Sequence, residues 1–287
     1  MPVESRSLRY FAAVAQQRSF ARAAEELGIA APALSRAVRA LESELGVVLL
    51  RRTTRSVTLT ETGSALLADI KPALEDLDAA TRRARRAAAP TRSVLLAVKA
   101  DADGGLLDDV LAATAAEPGS EPVAVKLCAW GEHADLIRKG EVDAALVYDP
   151  YDRRGLDAET IFTEPRVAAL PADHPLASSG SVTLAALGIP IESLDREAER
   201  VFDTHQAADL AQLLTLIALR GTVTTVLASS IAARYPRPGI SYVPIADAPP
   251  ATLTIAWHQN AHSTAVAALV RGAVAAGADK HLSHAGA

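Results

Sequence analysis

Arg36 and Arg39 stand three residues apart in the stretch APALSRAVRALESELG (31–46). The apolar residues Leu34, Val38, Leu41 and Leu45 recur there at spacings of 4, 3 and 4. That spacing predicts an amphipathic helix with Ser35, Arg36 and Arg39 on the face left to solvent. A guanidinium so placed can bond the O6/N7 edge of guanine bidentately or hold a phosphate. A second basic cluster, Arg51, Arg52 and Arg55 with Thr53 among them, follows in VVLLRRTTRSVTLT (47–60). Elsewhere, Lys99 closes the apolar run VLLAVK, and Trp130 follows a second such run. His258 and His262 are four apart, a metal-binding spacing only on a helix, and this segment reads as a strand end. The single cysteine, Cys128, lies in an apolar strand and reads as inert packing. No G-x-S-x-G elbow, Walker loop or G-x-G-x-x-G occurs. The chemistry on offer is therefore polyanion and small-molecule binding; an enzyme, a cofactor and a metal site are not expected.

The chain has 287 residues, is 49% hydrophobic and carries a net charge of −5. Residues 1–92 hold 15 Lys/Arg against 10 Asp/Glu, and the remainder 14 against 24. A basic head on an acidic body points the head at a polyanion. The longest apolar stretch, LLTLIALRGTVTTVLASSIA, is interrupted by Arg220 and several threonines, so no membrane span is expected. The N-terminus MPVESRSLRYF has no apolar core of a signal peptide, and one cysteine excludes an internal disulfide. The expectation is a soluble cytoplasmic protein.

The elements that must position the basic residues are legible. Leu8, Phe11, Ala12 and Ala15 predict a helix over 5–18. Ser19 is a suitable N-cap for a second helix running to about residue 27, which Gly28 ends in the left-handed conformation. Pro32 falls in the first turn of the third, where its missing N–H costs nothing, and Gly46 ends it. Two helices joined by a short glycine-containing turn are a helix-turn-helix, whose second helix enters the major groove. The β-branched segment 47–60 predicts two short strands with a basic tip, a wing. The DNA-facing set is then Pro32, Ser35, Arg36 and Arg39 with Arg51, Arg52, Thr53 and Arg55.

Thr60 can cap a long helix reaching about residue 88, roughly 40 Å at 1.5 Å per residue. In it Leu67, Ile70, Leu74 and Leu77, continued by Thr81 and Ala84, form a seam spaced 3, 4, 3, 4, 3 that predicts dimerisation. Pro72 is expected to kink or break this helix. Beyond Pro90, strands and helices alternate, which predicts a mostly parallel sheet flanked by helices. The cluster YDPYDRRG (148–155) separates two such sets, and a helix over about 263–276 closes the chain. Ligands of open α/β sheets sit beyond the carboxyl ends of strands. Those ends hold Lys99, Ala100 and Asp101; Ala129 and Trp130; Glu192 and Ser193; and Val226. Lys99 can pair a ligand carboxylate against a Trp130 wall, or pair Asp101 and close the site.

The stretch SFARAAEELGIAAPALSRAVRALESELGVVLLRRTTRSVTLTETG (19–63), matched without a gap, resembles the N-terminal domain of LysR-type transcriptional regulators. GEVDAALV, LPADHPLA and LTIAWHQNAHSTAVAALV extend the resemblance to the rest of the chain. It implies an α+β multi-domain protein: a winged helix-turn-helix (1–59), a dimerising linker helix (60–92) and an effector domain (93–287). That last domain is expected to be two-lobed, α/β and like periplasmic binding proteins, with lobe I over 93–161 and 259–287 and lobe II over 162–258. A small-molecule effector would sit between the lobes, against the loops named above. Expected partners are double-stranded DNA, that effector and further copies of the chain, as a homodimer or homotetramer, and no membrane. Ala30 and Ala31 stand where the family has a Ser-Gln pair, and Ala100 and Asp101 stand where it has a small hydroxyl residue. The competing reading is a two-lobed binding protein whose N-terminal part only assembles oligomers.

Overall fold

A computed structural model describes residues 3–52, 57–88, 92–194, 201, 204, 207, 209–220 and 224–285. The chain divides into two compact units, Met1–Ala84 and Arg85–Ala287. The first contains helices α1 (Ser5–Gln17), α2 (Phe20–Glu26) and α3 (Ala31–Leu45), strands β1 (Leu50–Arg52) and β2 (Val57–Leu59), and most of α4 (Glu61–Ala87). The Ser19 hydroxyl accepts from the Arg22 N–H at 3.3 Å and so caps α2. Gly28 and Gly46 end their helices at φ +64° and +69°, a region that admits glycine at little cost. Phe11, Val14, Ala23, Leu34, Val38 and Leu41 are buried together. The two alanines of α2, Ala23 and Ala24, let the three helices approach closely.

Glu42, on α3, fixes the wing. Its carboxylate accepts from the N–H groups of Leu49 at 2.9 Å and Leu50 at 3.0 Å, and β1 then pairs antiparallel with β2. The Thr60 hydroxyl accepts from Gly63 N–H at 2.9 Å and donates to the Val48 carbonyl at 2.7 Å, so it caps α4 and ties it to the wing. A Cβ at Gly63 would lie 2.1 Å from the Leu49 carbonyl oxygen, so only glycine fits where α4 crosses the wing.

One expectation for α4 is corrected. The helix runs unbroken through Pro72, which is exposed. Proline removes one i−4 bond there, and the Ala68 residue whose carbonyl loses it is itself exposed to solvent. The seam also divides. Ile70 is 8% exposed within the core of the N-terminal unit, and Leu67 and Leu74 pack against the same core. Leu77 is 45% exposed. A stripe at heptad spacing is satisfied equally by a partner helix or by the helix's own domain, and here Leu67, Ile70 and Leu74 pack against the domain.

The second unit holds two sheets. The larger has the order β4-β3-β5-β10-β6, from β3 (Val94–Lys99), β4 (Val123–Cys128), β5 (Ala144–Tyr148), β6 (Leu156–Glu164) and β10 (Ala251–His258). Helices α5 (Leu107–Ala116), α6 (His133–Arg138) and α9 (Thr264–Ala285) belong to this lobe. The smaller sheet, β8-β7-β9, comprises β7 (Arg166–Pro171), β8 (Thr225–Ala228) and β9 (Ile240–Pro244), with α7 (Leu210–Arg220) and α8 (Ser229–Arg234). The sheets are not mostly parallel: β3 is parallel to β4 and β5, but β10 is antiparallel to β5 and β6, and β7 is antiparallel to both its neighbours.

The lobe limits expected at 162 and 258 shift accordingly. β6 continues in the first sheet to Glu164, and β10 rejoins it at Ala251, paired residue to residue with Glu164. YDPYDRRG therefore precedes a strand of the first lobe and does not separate the sets. A register shift at Leu253/Thr254 breaks the alternation of β6, which is why its nine residues carry no clean period-two signal. IPIES forms a 3-10 turn at Ile191–Ser193. The last helix runs well beyond residue 276.

Gly63→Ala is expected to destabilise the N-terminal unit by at least about 2 kcal/mol, because a backbone carbonyl cannot yield as a side chain can. Thermal unfolding followed by circular dichroism checks this, with Gly180→Ala, where a Cβ meets nothing within 4 Å, as the control.

Candidate functional site

On α3 the sequence separates its faces as predicted except at Leu45, which is exposed at the helix end although the stripe had placed it inside. Leu34, Val38 and Leu41 are buried, Arg36, Arg39 and Pro32 are exposed, and Ser35 is half-buried. Ala30 caps the helix without a side-chain bond. Arg51 is exposed on β1, and Arg52 ends that strand. Thr53 and Arg55 lie outside the described residues, as does the side chain of Arg52. The described arginines thus form one exposed basic surface element on α3 and another on the wing of the same unit, and guanidinium groups so spaced can hold phosphates and read base edges.

In the second unit a cleft open to solvent lies where β3, β5 and β10 of the larger sheet face β7, β8 and α8. Of the expected residues it brings together Lys99, Ala100, Asp101, Trp130 and Val226. Ala129, Glu192 and Ser193 are not among its walls. The 3-10 turn carries Leu194 to the cleft in place of Glu192 and Ser193, and β4 ends so that Trp130, one residue past Ala129, reaches it. Sequence reasoning missed Tyr148, Asp149, Arg166 and Ile231, which also line the cleft. Tyr148 and Asp149 follow the carboxyl end of β5 and were open to the same strand-end argument; Arg166 begins β7 and was not.

Lys99 has its ammonium 5.7 Å from the centre of the Trp130 ring. Among the described residues no carboxylate ion-pairs with it. Desolvation lowers its pKa from the ordinary value, opposed by the charge of Asp101. The closed pairing of Lys99 with Asp101 is absent because Asp101 is engaged elsewhere: the Tyr235 hydroxyl donates to it, and Arg234 stands 3.4 Å away. That hydrogen bond, with burial, pushes the Tyr235 hydroxyl up to about 12. Arg234 also donates to the buried Asp103 at 2.8 Å. Asp149 is likewise neutralised by Arg153 at 2.5 Å. Lys99 and Arg166 are the cations of the cleft wall, while its two carboxylates have cationic partners.

The wall is set by Glu164. Its buried carboxylate accepts from the Tyr148 hydroxyl of β5, from the Ser229 hydroxyl at 2.7 Å, and from the Ser230 N–H at 2.5 Å and hydroxyl at 2.7 Å. Burial, then the adjacent Glu164 charge, raises the Tyr148 pKa above its ordinary value, so this phenol stays a donor.

Beside the cleft a side chamber of about 460 Å3 shares Lys99, Trp130 and Tyr148 with it and adds His133, Leu146 and Tyr151. His133 begins α6 and is 6% exposed. Burial, then the Lys99 charge, pushes its imidazole down to about 4. Cys128, half-buried on the edge strand β4, has its thiol pushed up to about 11 by burial and then by Glu132, which leaves it unreactive near neutrality. Among the described residues no group of His, Cys, Asp and Glu could hold a metal, and no helix is long and apolar enough to cross a membrane.

A winged helix-turn-helix unit followed by a two-lobed unit with a ligand-sized cleft defines a DNA-binding regulator with a sensor domain. A family model described as "Bacterial regulatory helix-turn-helix protein, lysR family" matches residues 5–64, and one described as "LysR substrate binding domain" matches residues 87–278. The chain belongs to the LysR family of transcriptional regulators, with a DNA-binding helix-turn-helix domain and an effector-binding domain. The reading of the N-terminal part as an oligomerisation module alone is set aside by the first match.

Among its relatives is the Hca operon transcriptional activator HcaR of Escherichia coli (strain K12), 37% identical over 194 residues. That match covers 67% of this chain and 66% of HcaR, just under two thirds of its length. The HTH-type transcriptional regulator BudR of Raoultella terrigena is 30% identical over 92% of this chain and 98% of its own. Among solved structures the fold is that of CbnR, a LysR family transcriptional regulator: TM-score 0.60, 22% identity, covering 96% of this chain and 99% of that one.

Because the His133 imidazole is held at about 4 against an ordinary 6.5, the folded chain binds fewer protons than the unfolded one between those values. Its contribution to stability is therefore complete above about pH 6.5 and is lost as pH falls towards 4. His133→Phe is expected to flatten that part of the profile, measured as midpoints of urea unfolding between pH 4 and 7.

Proposed function

We propose that this regulator binds DNA as a homodimer or homotetramer in the cytoplasm and answers to a small carboxylate held in the cleft of its effector domain. The observation that carries the ligand class is Lys99: a desolvated ammonium at the mouth of the cleft, with no carboxylate paired to it among the described residues, over the face of Trp130. Arg166 adds a second cation to the same wall. Asp101 and Asp149 do not oppose an anion strongly, since each has an arginine partner. A carboxylate entering there gains charge-assisted hydrogen bonds and lies against an apolar and aromatic surface. Ala100, Asp101, Trp130 and Val226 are the other expected contacts. Pro32, Ser35, Arg36, Arg39 and Arg51 are assigned to DNA, with Arg52, Thr53 and Arg55 of the wing. Exposed Leu77, rather than Leu67, Ile70 or Leu74, is the seam residue most open to a partner helix.

Lys99→Ala is expected to abolish stabilisation by small carboxylates while leaving the melting temperature of the free protein within a few degrees. Thermal-shift titration against a panel of organic acids, neutral compounds and amines decides it. A panel in which only neutral or cationic compounds stabilise the wild type overturns the carboxylate reading.

Arg36→Ala is expected to weaken binding to the operator by roughly 1–3 kcal/mol and to relax its sequence preference, as loss of a base contact does. Arg51→Ala should weaken operator and random duplex about equally, as loss of a phosphate contact does. Gel-shift titrations on both duplexes separate these outcomes.

A further inference from the structure

The side chamber under Trp130 has a polar group that nothing in the fold uses. His133 Nε2 is sealed from solvent and has no hydrogen-bond partner among the described residues. A folded chain seldom leaves a ring nitrogen buried and unpaired, because the group has given up its water bonds for nothing in return. An apolar side chain of similar volume would fill the place without that cost. The chamber is lined by His133 together with Leu146, Trp130, Tyr151 and Ala134, and Lys99 is shared between this chamber and the cleft. The imidazole and the ammonium therefore border one continuous space.

The charge of the ring narrows what can meet it. Its neighbours Lys99 and desolvation both oppose the imidazolium, so the ring is neutral near pH 7 and offers either a lone pair or an N–H at Nε2. A hydroxyl is the ligand group that satisfies both tautomers, since it donates and accepts. A second carboxylate would have to share the Lys99 ammonium with the first, and a methyl or ring hydrogen would leave the nitrogen unpaired.

We infer that the side chamber is a specificity subsite for a ligand hydroxyl, so that the effector is a hydroxy-substituted carboxylic acid with its carboxylate at Lys99 and its hydroxyl at His133. This inference rests on the carboxylate reading of the cleft and adds the second polar group. His133 is then the residue that distinguishes a hydroxy acid from the acid lacking the hydroxyl. A site built to bond a hydroxyl rejects the analogue without it, because the buried partner is left unpaired.

Isothermal titration of the full-length protein against matched pairs tests this: lactate and propionate, 3-hydroxybutyrate and butyrate, 3-hydroxybenzoate and benzoate. Wild type should bind the hydroxy member of at least one pair about tenfold more tightly than its partner, the scale of one well-formed hydrogen bond to a buried group. In His133→Phe that preference should fall below about twofold while the plain acid binds as before. His133→Gln, which keeps a donor and an acceptor, should restore part of it. If the plain acids bind wild type and no hydroxyl improves them, the subsite is wrong and the carboxylate reading stands. If the preference survives in His133→Phe, the hydroxyl is read elsewhere and the assignment to His133 falls. If no acid of either kind binds wild type, the carboxylate reading itself is overturned and this one with it.

Discussion

The effector domain is organised around a buried carboxylate that has no cation paired to it among the described residues. Glu164 is 3% exposed and is satisfied by hydroxyls and one backbone N–H: Tyr148 from the larger sheet, Ser229 and Ser230 from α8 beside the smaller one. A charge taken out of water demands several hydrogen bonds in good geometry, and these four donors come from both lobes. Glu164 is also the last residue of β6, directly before Pro165 and β7, and its partner in the sheet is Ala251, where the chain returns. One side chain therefore sits at the crossing between the sheets and fixes the two walls that the cleft needs.

The charges of the cleft follow from who is already occupied. The Asp101 carboxylate accepts from Tyr235, Asp103 from Arg234, and Asp149 from Arg153. The first two of these bonds fasten the loop after β3 to α8 and the residue after it, and the first engages Asp101 away from Lys99. The Lys99 ammonium is thereby left without a carboxylate ion pair among the described residues. The net charge of the domain does not predict this, because long-range attraction and local hydrogen bonding act on different scales.

In the N-terminal unit the comparable constraint is steric. Gly63 lets α4 cross the Leu49 carbonyl, while Glu42 and Thr60 saturate the backbone at that crossing. The wing is held to the reading helix by backbone N–H groups and a carboxylate, so Arg51 and the α3 arginines are presented from one rigid body. On α4 the heptad-spaced stripe is divided by the same packing: Ile70, Leu67 and Leu74 are drawn into this core and Leu77 is left exposed.

Local rules sufficed for much of the chain. Capping by Ser19 and Thr60, termination at Gly28 and Gly46, and the stripe Leu34–Val38–Leu41 are properties of a few neighbouring residues, and sequence determines them directly. The same holds for Lys99 and Trp130 as strand-end residues. What the sequence did not determine is partnership between distant segments. The antiparallel β10 between β5 and β6, the bulge that hides β6, and the shift of the lobe limits to 164 and 251 depend on which strands pair. Ala129, Glu192 and Ser193 left the cleft because a terminal turn is set by packing that strand-end counting ignores. The placement of Glu164, Arg166 and His133 was hidden for the same reason. A carboxylate, a guanidinium or an imidazole looks alike in any sequence, and only the fold decides whether its partner is water, a neighbouring side chain or a ligand.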